Sequence, residues 1–351
     1  MSAGNTFETI PLIEKGASES LLAESAGPET NEVWGVTPRI AVLVPCFNEE
    51  RTIADVVRQF REQLPGAAIY VFDNNSSDQT ATLAKEAGAL VVHEHRQGKG
   101  YVTQSMFRQV DADVYVIVDG DGTYPAAAVH RLLRPIISGA ADMVVGSRLH
   151  AESKSEFRQI NALGNRLVLG LLNTFFRVRL TDVLSGYRAF NRRFVKRLPL
   201  FGGGFEIETE LTIKAIARGY RIAEVPIDLV HRPSGSHSKI RLWRDGTLII
   251  NTMLALFRDY KPLTFFGGVG VVLLALAMIP GLIVFVDFIK ANIVHLPLAV
   301  LAIGLSLGGA LAITAGLILH SIARRAQEFE HQIEVLAEEV AARAKPQTPA
   351  C

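Results

Sequence analysis

The sequence predicts an α/β domain with a mostly parallel sheet, followed by a two-helix transmembrane hairpin and a C-terminal helix. Near-continuous runs of valine and isoleucine alternate with helical stretches from residue 39 to residue 147, a pattern typical of parallel strands covered on both faces. Two segments without Asp, Glu, Lys or Arg follow, at about 263–286 and 296–319. Each is long enough, at about 1.5 Å per residue, to cross a bilayer core of about 30 Å.

Composition excludes several other classes of protein. The chain has 351 residues with 36 Lys and Arg against 35 Asp and Glu, so it lacks the positive field of a general nucleic-acid-binding protein. Its two cysteines, Cys46 and Cys351, indicate neither a disulfide framework nor a zinc site and favour a reducing compartment. Residues 1–36 lack periodicity and an apolar signal segment, so we predict a flexible N-terminal tail.

Polar residues follow several of the predicted strands at their carboxyl ends. The strand patterns are IAVLVPCF from residue 40, AIYVFDN from 68, LVVHE from 90, VYVIVDGD from 114 and DMVVGS from 142, with helices predicted between them. Asn48, Glu49, Asp73, Asp119 and Asp121 all lie at such strand ends. Ligands of open parallel sheets bind at this edge, so we expect these side chains to converge on one rim.

The stretch VYVIVDGDGTYP, residues 114–125, brings Asp119 and Asp121 to the end of an apolar strand. Two carboxylates are enough for Mg²⁺, which fills its other positions with water and substrate phosphate. The alternative interpretation is a polar turn between two elements.

The two apolar segments also predict the orientation of the chain in the membrane. Arg258 and Lys261 precede the first segment and Arg324 and Arg325 follow the second. The positive-inside rule therefore predicts an integral protein of the cytoplasmic membrane, with the α/β domain and both termini in the cytoplasm. A buried helix pair in a soluble protein is the competing interpretation.

Small residues recur every four positions on the second segment, at Gly304, Gly308, Ala312 and Gly316. They predict close approach by a partner helix, either the first segment or a second protomer. Beyond this segment, apolar residues are spaced alternately by four and three positions at Ile322, Ala326, Phe329, Ile333, Leu336 and Val340. This seam predicts a short coiled coil joining protomers, or an amphipathic helix that folds back on the domain.

Two further apolar helices, at 161–176 and 240–260, carry arginines at their edges. They predict helices that lie in the membrane interface, with core helices as the alternative. The predicted boundaries are therefore 37–239 for the cytoplasmic domain, 240–261 for the interface helices, 262–320 for the membrane hairpin and 321–351 for the C-terminal helix and tail.

Seven motifs in order resemble family-2 glycosyltransferases, and within them the polyprenyl-phosphate glycosyltransferases related to dolichol-phosphate mannose synthase. The resemblance covers about residues 39–244. The motifs are VPCFNEE at 44–50, FDNNSSDQT at 72–80, GKG at 98–100, DGDGTYP at 119–125, GSR at 146–148, DVLSGYRAF at 182–190 and RPSGSHSK at 232–239.

The resemblance implies a Rossmann-like domain of the glycosyltransferase A type that binds a nucleotide sugar and Mg²⁺ or Mn²⁺. The residues it assigns to the nucleotide sugar are Pro45, Asn48, Glu49, Asp73, Lys99, Asp119 and Gly120, and those it assigns to the metal are Asp119, Asp121 and Thr123. Related mannose synthases usually carry Gln at the position of Thr123. This difference favours UDP-glucose or UDP-N-acetylglucosamine as donor over GDP-mannose.

The acceptor implied by the resemblance is undecaprenyl or dolichyl phosphate. A phosphate monoester with a second pKa of about 6 is mostly dianionic at neutral pH and is already a nucleophile. The site therefore needs cations more than a base, and Arg148, Arg188, Arg232 and Lys239 are the candidates. Asp182 matches the family aspartate often assigned as catalytic base, and we expect it to orient the acceptor instead.

The predicted function is transfer of one sugar, with inversion, from a nucleotide sugar to a polyprenyl phosphate. Asp121 and Asp182 are the predicted catalytic residues. One alternative is a processive polysaccharide synthase, which the two predicted spans and the lack of a Gln-X-X-Arg-Trp motif disfavour. The other is a non-catalytic membrane scaffold that retains a nucleotide-sugar-binding fold.

Overall fold

A computed structural model describes residues 37–148, 169–170, 172–174, 176, 178–204, 206–230, 242–293 and 295–344. The predicted N-terminal tail, 1–36, lies outside these residues. So do Arg232 and Lys239 of the predicted acceptor site.

The described domain is built on a seven-stranded sheet with the order β3-β2-β1-β4-β6-β5-β7. All neighbours pair in parallel except β6, which is antiparallel to both β4 and β5. The mostly parallel α/β fold is therefore confirmed. The strands are β1 Ile40–Cys46, β2 Ala68–Asp73, β3 Leu90–His93, β4 Val114–Ile117, β5 Met143–Ser147, β6 Arg188–Asn191 and β7 Ile222–Pro226.

Six helices cover the two faces of this sheet. They are α1 Ile53–Gln63, α2 Thr80–Glu86, α3 Lys99–Gln109, α4 Val129–Ile137, α5 Arg192–Arg197 and α6 Ile207–Ala217. Alternate residues of β1 face opposite cores, because side chains of a strand point to its two faces in turn. Val42 packs with residues of α1 and α4, whereas Leu43 packs with residues of α3, α5 and α6.

A third hydrophobic cluster joins the domain to the C-terminal helices. It contains Val183, Ile213 of α6, and Met253 and Phe257 of the next helix, α7 (Leu242–Tyr260), and Phe265 of the following helix packs against it. One face of α7 is therefore a core face, as the alternative interpretation of this segment expected. Leu254 on the same helix is exposed, and its contact with a bilayer stays a prediction.

The chain ends in two long helices, α8 (Pro262–Ala291) and α9 (Leu296–Ala344). Both contain a stretch long and apolar enough to cross a membrane, and these stretches are mostly exposed on the protein. The helices pack on each other where Gly270 meets Gly309. A Cβ on Gly270 would lie 2.7 Å from the carbonyl oxygen of Gly309, so the backbones touch.

The glycine stripe on α9 is divided between two faces. A Cβ on Gly316 would lie 3.1 Å from Cβ of Phe266 in α8, whereas a Cβ on Gly304 would have no atom of the described residues within 4 Å. Helix α8, the first apolar segment, is thus the partner of α9 at Gly309 and Gly316, and not at Gly304.

The predicted heptad seam lies on the continuous helix α9. Its residues Ile322, Phe329, Ile333 and Leu336 are 54–67% exposed. The helix does not fold back to bury them on the domain, so that alternative is wrong for the described residues.

Candidate active site

The loop after β1 is tied to the loop after β2 at the carboxyl edge of the sheet. The amide of Ser77 donates to Oδ1 of Asn48 at 2.8 Å, and the amide of Glu49 donates to the hydroxyl of Thr80 at 2.8 Å. Asn48 adopts the left-handed region with φ 52°, where asparagine is favoured among non-glycine residues. Asn48 and Glu49, together with Pro45 in β1, therefore shape this wall of the rim.

Asp73 ends β2 and is buried at the same edge. Its Oδ2 lies 3.2 Å from Nδ1 of His93. Within the described part of the chain its other oxygen, Oδ1, is buried and has no hydrogen-bond partner. A buried carboxylate oxygen without a partner is unfavourable, so this atom indicates a ligand that donates an N–H or O–H.

Lys99, at the start of α3, lies between two carboxylates. Its Nζ is 2.6 Å from Oδ1 of Asp119 and 2.5 Å from Oε1 of Glu208. Burial alone would lower the pKa of Lys99, but the two carboxylates outweigh it and raise that pKa above its ordinary value. The ammonium is therefore charged at neutral pH and compensates part of the negative charge at the rim.

Glu208 is a member of this cluster and is not among the site residues predicted from the sequence. It lies in the first turn of α6, where a carboxylate is commonly structural. The signal that could have found it is the combination of GKG at 98–100 with GGG at 202–204. A Cβ on Gly100 would lie 2.1 Å from the carbonyl oxygen of Gly202, so these glycines let α3 approach the loop before α6.

Asp121 is held by its neighbour Thr123. The amide and the hydroxyl of Thr123 both donate to Oδ1 of Asp121, at 3.1 and 2.6 Å. Thr123, predicted as a metal ligand, therefore acts on Asp121 in this arrangement. Gly120, between the two aspartates, packs closely against β1, since a Cβ there would lie 2.6 Å from Sγ of Cys46.

The aspartate pair fits a hard divalent cation that is completed by other oxygens. Among the described residues no group of three or more His, Cys, Asp or Glu side chains is arranged to hold a metal alone. Asp119 is partly exposed and already faces one cation, the ammonium of Lys99. Mg²⁺ and Mn²⁺ suit such oxygen sites, with water and phosphate completing the shell.

Arg148 and Asp182 form a bidentate ion pair beside the aspartate pair. Nε of Arg148 lies 2.7 Å from Oδ2 of Asp182, and its second terminal nitrogen donates to Oδ1 at 2.9 Å. The amides of Arg148 and Leu184 also donate to this carboxylate, at 3.1 Å each. Asp182 accepts four hydrogen bonds and is buried, which suits an orienting group better than a base.

Arg188 does not belong to the acceptor site, and that prediction is wrong. The side chain is 1% exposed and lies at the start of β6. Its guanidinium donates to the carbonyl oxygen of Ser185 at 2.9 Å, to the hydroxyl of Thr212 at 2.9 Å and to the carbonyl oxygen of Val183. These bonds hold the backbone of the loop that carries Asp182. Arg188 therefore stabilises the site from the core.

The loop between Asp182 and β6 also contacts the aspartate pair. A Cβ on Gly186 would lie 2.3 Å from Oδ2 of Asp119, and the amide of Gly186 donates to the hydroxyl of Tyr124 at 3.0 Å. Only a glycine allows this approach. The motif DVLSGYRAF therefore brings Asp182 to the same rim as Asp119.

Comparison with known proteins agrees with this fold. The family described as Glycosyl transferase family 2 matches residues 41–198. Glycosyltransferase AglJ of Haloferax volcanii is 32% identical over 298 residues, covering 85% of this chain and 98% of that protein. The dolichyl-phosphate hexose transferase of the same organism is 28% identical over 210 residues, covering 60% of this chain and 90% of that protein.

A solved structure has the same architecture. The glucosyl-3-phosphoglycerate synthase of Mycobacterium tuberculosis, in complex with Mn²⁺, UDP-glucose and phosphoglyceric acid, has a TM-score of 0.55 and 25% identity. The match covers 67% of this chain and 86% of that chain. The mostly parallel sheet with aspartates at its carboxyl edge, together with these matches, identifies the protein as a glycosyltransferase. The chain belongs to glycosyltransferase family 2.

Proposed function

We propose that the protein is a membrane-bound, metal-dependent inverting glycosyltransferase that moves one sugar from a nucleotide sugar to polyprenyl phosphate. One observation carries this proposal. The aspartate pair and the Arg148–Asp182 ion pair share one rim, and Val183, the neighbour of Asp182, packs in the cluster that leads to α8. A lipid acceptor held by its phosphate at this rim would lie close to the helices that lead to the two apolar spans.

The donor side is formed by Asp119, Asp121 and Lys99. Asp119 and Asp121 would hold the divalent cation, and that cation, when bound, stabilises the charge of the leaving nucleoside diphosphate. Lys99, whose ammonium lies at 2.6 Å from Asp119, adds a positive charge beside the same position. The unpartnered Oδ1 of Asp73 accepts a hydrogen bond from the nucleoside.

The acceptor side must bring a phosphate dianion towards the sugar diphosphate. Arg148, with Arg232 and Lys239 of the basic sequence RPSGSHSK, supplies cations for that phosphate. A phosphate oxygen attacks the anomeric carbon, and the bond to the diphosphate breaks with its electron pair leaving on the diphosphate. No base has to remove a proton, so Asp182 orients Arg148 towards the acceptor.

UDP-glucose or UDP-N-acetylglucosamine is the favoured donor, with GDP-mannose as the alternative. The fold shared with a UDP-glucose-binding synthase supports a UDP-sugar, and the name of the dolichyl-phosphate hexose transferase supports a polyprenyl phosphate acceptor. The product is a polyprenyl-phosphate monosaccharide made on the cytoplasmic face. Lipid-linked sugars of this kind serve cell-envelope glycan synthesis.

A donor screen tests the proposal. Membranes containing the full chain are incubated with Mg²⁺ or Mn²⁺, radiolabelled UDP- and GDP-sugars, and undecaprenyl or dolichyl phosphate. We expect a lipid-extractable, labelled monosaccharide with one donor. No lipid-soluble product with any donor would overturn the proposal, and absence of nucleotide binding by calorimetry would revive the scaffold alternative.

A further inference from the structure

Four residues of the predicted seam on α9 are each more than half exposed, namely Ile322, Phe329, Ile333 and Leu336. These positions are separated by seven, four and three residues. At about 100° per residue, they fall within about 40° of one direction around the helix. A contiguous apolar stripe of this kind beyond a membrane segment indicates a protein partner.

The contact with α8 occupies a different side of α9. A Cβ on Gly270 of α8 would lie 2.5 Å from Cγ1 of Ile313, and Gly309 and Gly316 complete that contact. Measured from Ile322, these three positions lie at about 120–180° around the helix. The hairpin can therefore stay packed while the seam binds another helix.

The open face continues into the membrane-spanning part. Gly304 lies at about the same angle as Ile322, and no atom in the described part of the chain would lie within 4 Å of a Cβ on Gly304. On the polar side of the helix, Arg324 and Glu328 form an ion pair at 3.6 Å. Among the described residues, one face of α9 is thus apolar and mostly exposed from Gly304 to Leu336.

We propose that a second copy of this chain covers this face, so that two α9 helices form a parallel, in-register coiled coil beyond the membrane. The orientation rests on the membrane placement proposed above. Copies inserted the same way present α9 in the same direction, so their seams meet in parallel. In that register Arg325 of one copy would lie beside position 330 of the other copy, because these two positions flank the seam. Position 330 is a glutamate, so the two residues carry opposite charges.

Disulfide cross-linking with an added thiol oxidant, which takes up two electrons and two protons for each bond formed, tests the inference in native membranes. Ile333→Cys is made in the full chain with Cys351→Ser, and Gln327→Cys is the matched control, since it lies about 140° from the seam on the same exposed helix. Like residues of a parallel seam come within disulfide reach. We expect covalent dimers from Ile333→Cys at least about fivefold above those from Gln327→Cys. Equal yields at the two positions would overturn the inference.

A second variant tests the inference through the mass of the purified protein in solution. Phe329→Glu combined with Ile333→Glu places like charges in the seam and is expected to convert the purified dimer to monomer in light scattering. Gln327→Glu is expected to leave the dimer intact. A protein that is monomeric without substitution, or a dimer that survives the double change, contradicts the proposal. The donor screen measures sugar transfer, whereas cross-linking and light scattering measure association of two chains. The proposed function and the proposed dimer can therefore fail independently.

Discussion

Asp121 accepts hydrogen bonds from both the amide and the hydroxyl of Thr123. Replacing it by alanine removes one of two carboxylates for the cation without opening the hydrophobic core. We expect Asp121→Ala to lower kcat/KM at least about a hundredfold, with little change in Tm. Transfer assays and thermal unfolding measure the two effects. Asp55→Ala, at an exposed position of α1, is the control, and retained activity in Asp121→Ala would remove the metal role.

Glu208 shares Lys99 with Asp119. Neutralising Glu208 leaves Asp119 as the remaining carboxylate partner of this ammonium, so the pairing strengthens and competes with a divalent cation for Asp119. We expect Glu208→Gln to raise the Mn²⁺ concentration for half-maximal activity several-fold more than it lowers kcat. Mn²⁺ titrations of the wild type, Glu208→Gln and the surface control Glu62→Gln test this. An unchanged Mn²⁺ requirement would contradict the coupling.

Arg148 and Arg188 differ in burial and in the groups that they bind. Arg148 is partly exposed and pairs with Asp182, whereas Arg188 is buried and bonds to backbone carbonyls. We expect Arg148→Lys, which loses bidentate geometry, to raise KM for polyprenyl phosphate about tenfold or more while KM for the donor changes little. We expect Arg188→Met to lower Tm instead. Equal effects on both substrates in Arg148→Lys would argue against acceptor recognition.

At the scale of elements, the glycines of GKG decide how α3 meets the loop before α6. A Cβ on Gly100 would lie 2.1 Å from the carbonyl oxygen of Gly202, which is backbone and has little freedom to move. We expect Gly100→Ala to displace Lys99 and to lower both Tm and activity, with activity falling at least about tenfold. Gly66→Ala has open space around it and should change neither. A fully active Gly100→Ala would show that this contact does not position Lys99.

Strand β6 shows where the prediction of strands from local sequence patterns fails. β6 has four residues, begins with an arginine and runs antiparallel between β4 and β5. A short strand with a charged first residue lacks the apolar run that marked β1 to β5. Its place in the sheet depends on pairing with strands more than 40 residues away, which no local pattern reports. That pairing brings Gly186 against Asp119 and places Asp182, four residues before Gly186, at the same rim.

At the scale of the whole molecule, the loop between α8 and α9 is predicted to lie outside the cytoplasm. With Cys351→Ser as background and Cys46 buried, Asn292→Cys should react with a membrane-impermeant maleimide in intact cells. Gln327→Cys should react only after the membrane is opened. Labelling of both positions in intact cells, or of neither, would contradict the proposed orientation.

The sequence alone determined the α/β class, the aspartate pair, the two apolar helices and the heptad seam, because each is a local pattern of residue types at fixed spacing. Tertiary structure decided which of these residues meet. It placed Arg188 in the core, joined Asp182 to Arg148 and Lys99 to Glu208, and divided the small residues of α9 between α8 and an open face. The physical reason is that burial and ion pairing depend on contacts between distant segments, which periodicity does not encode.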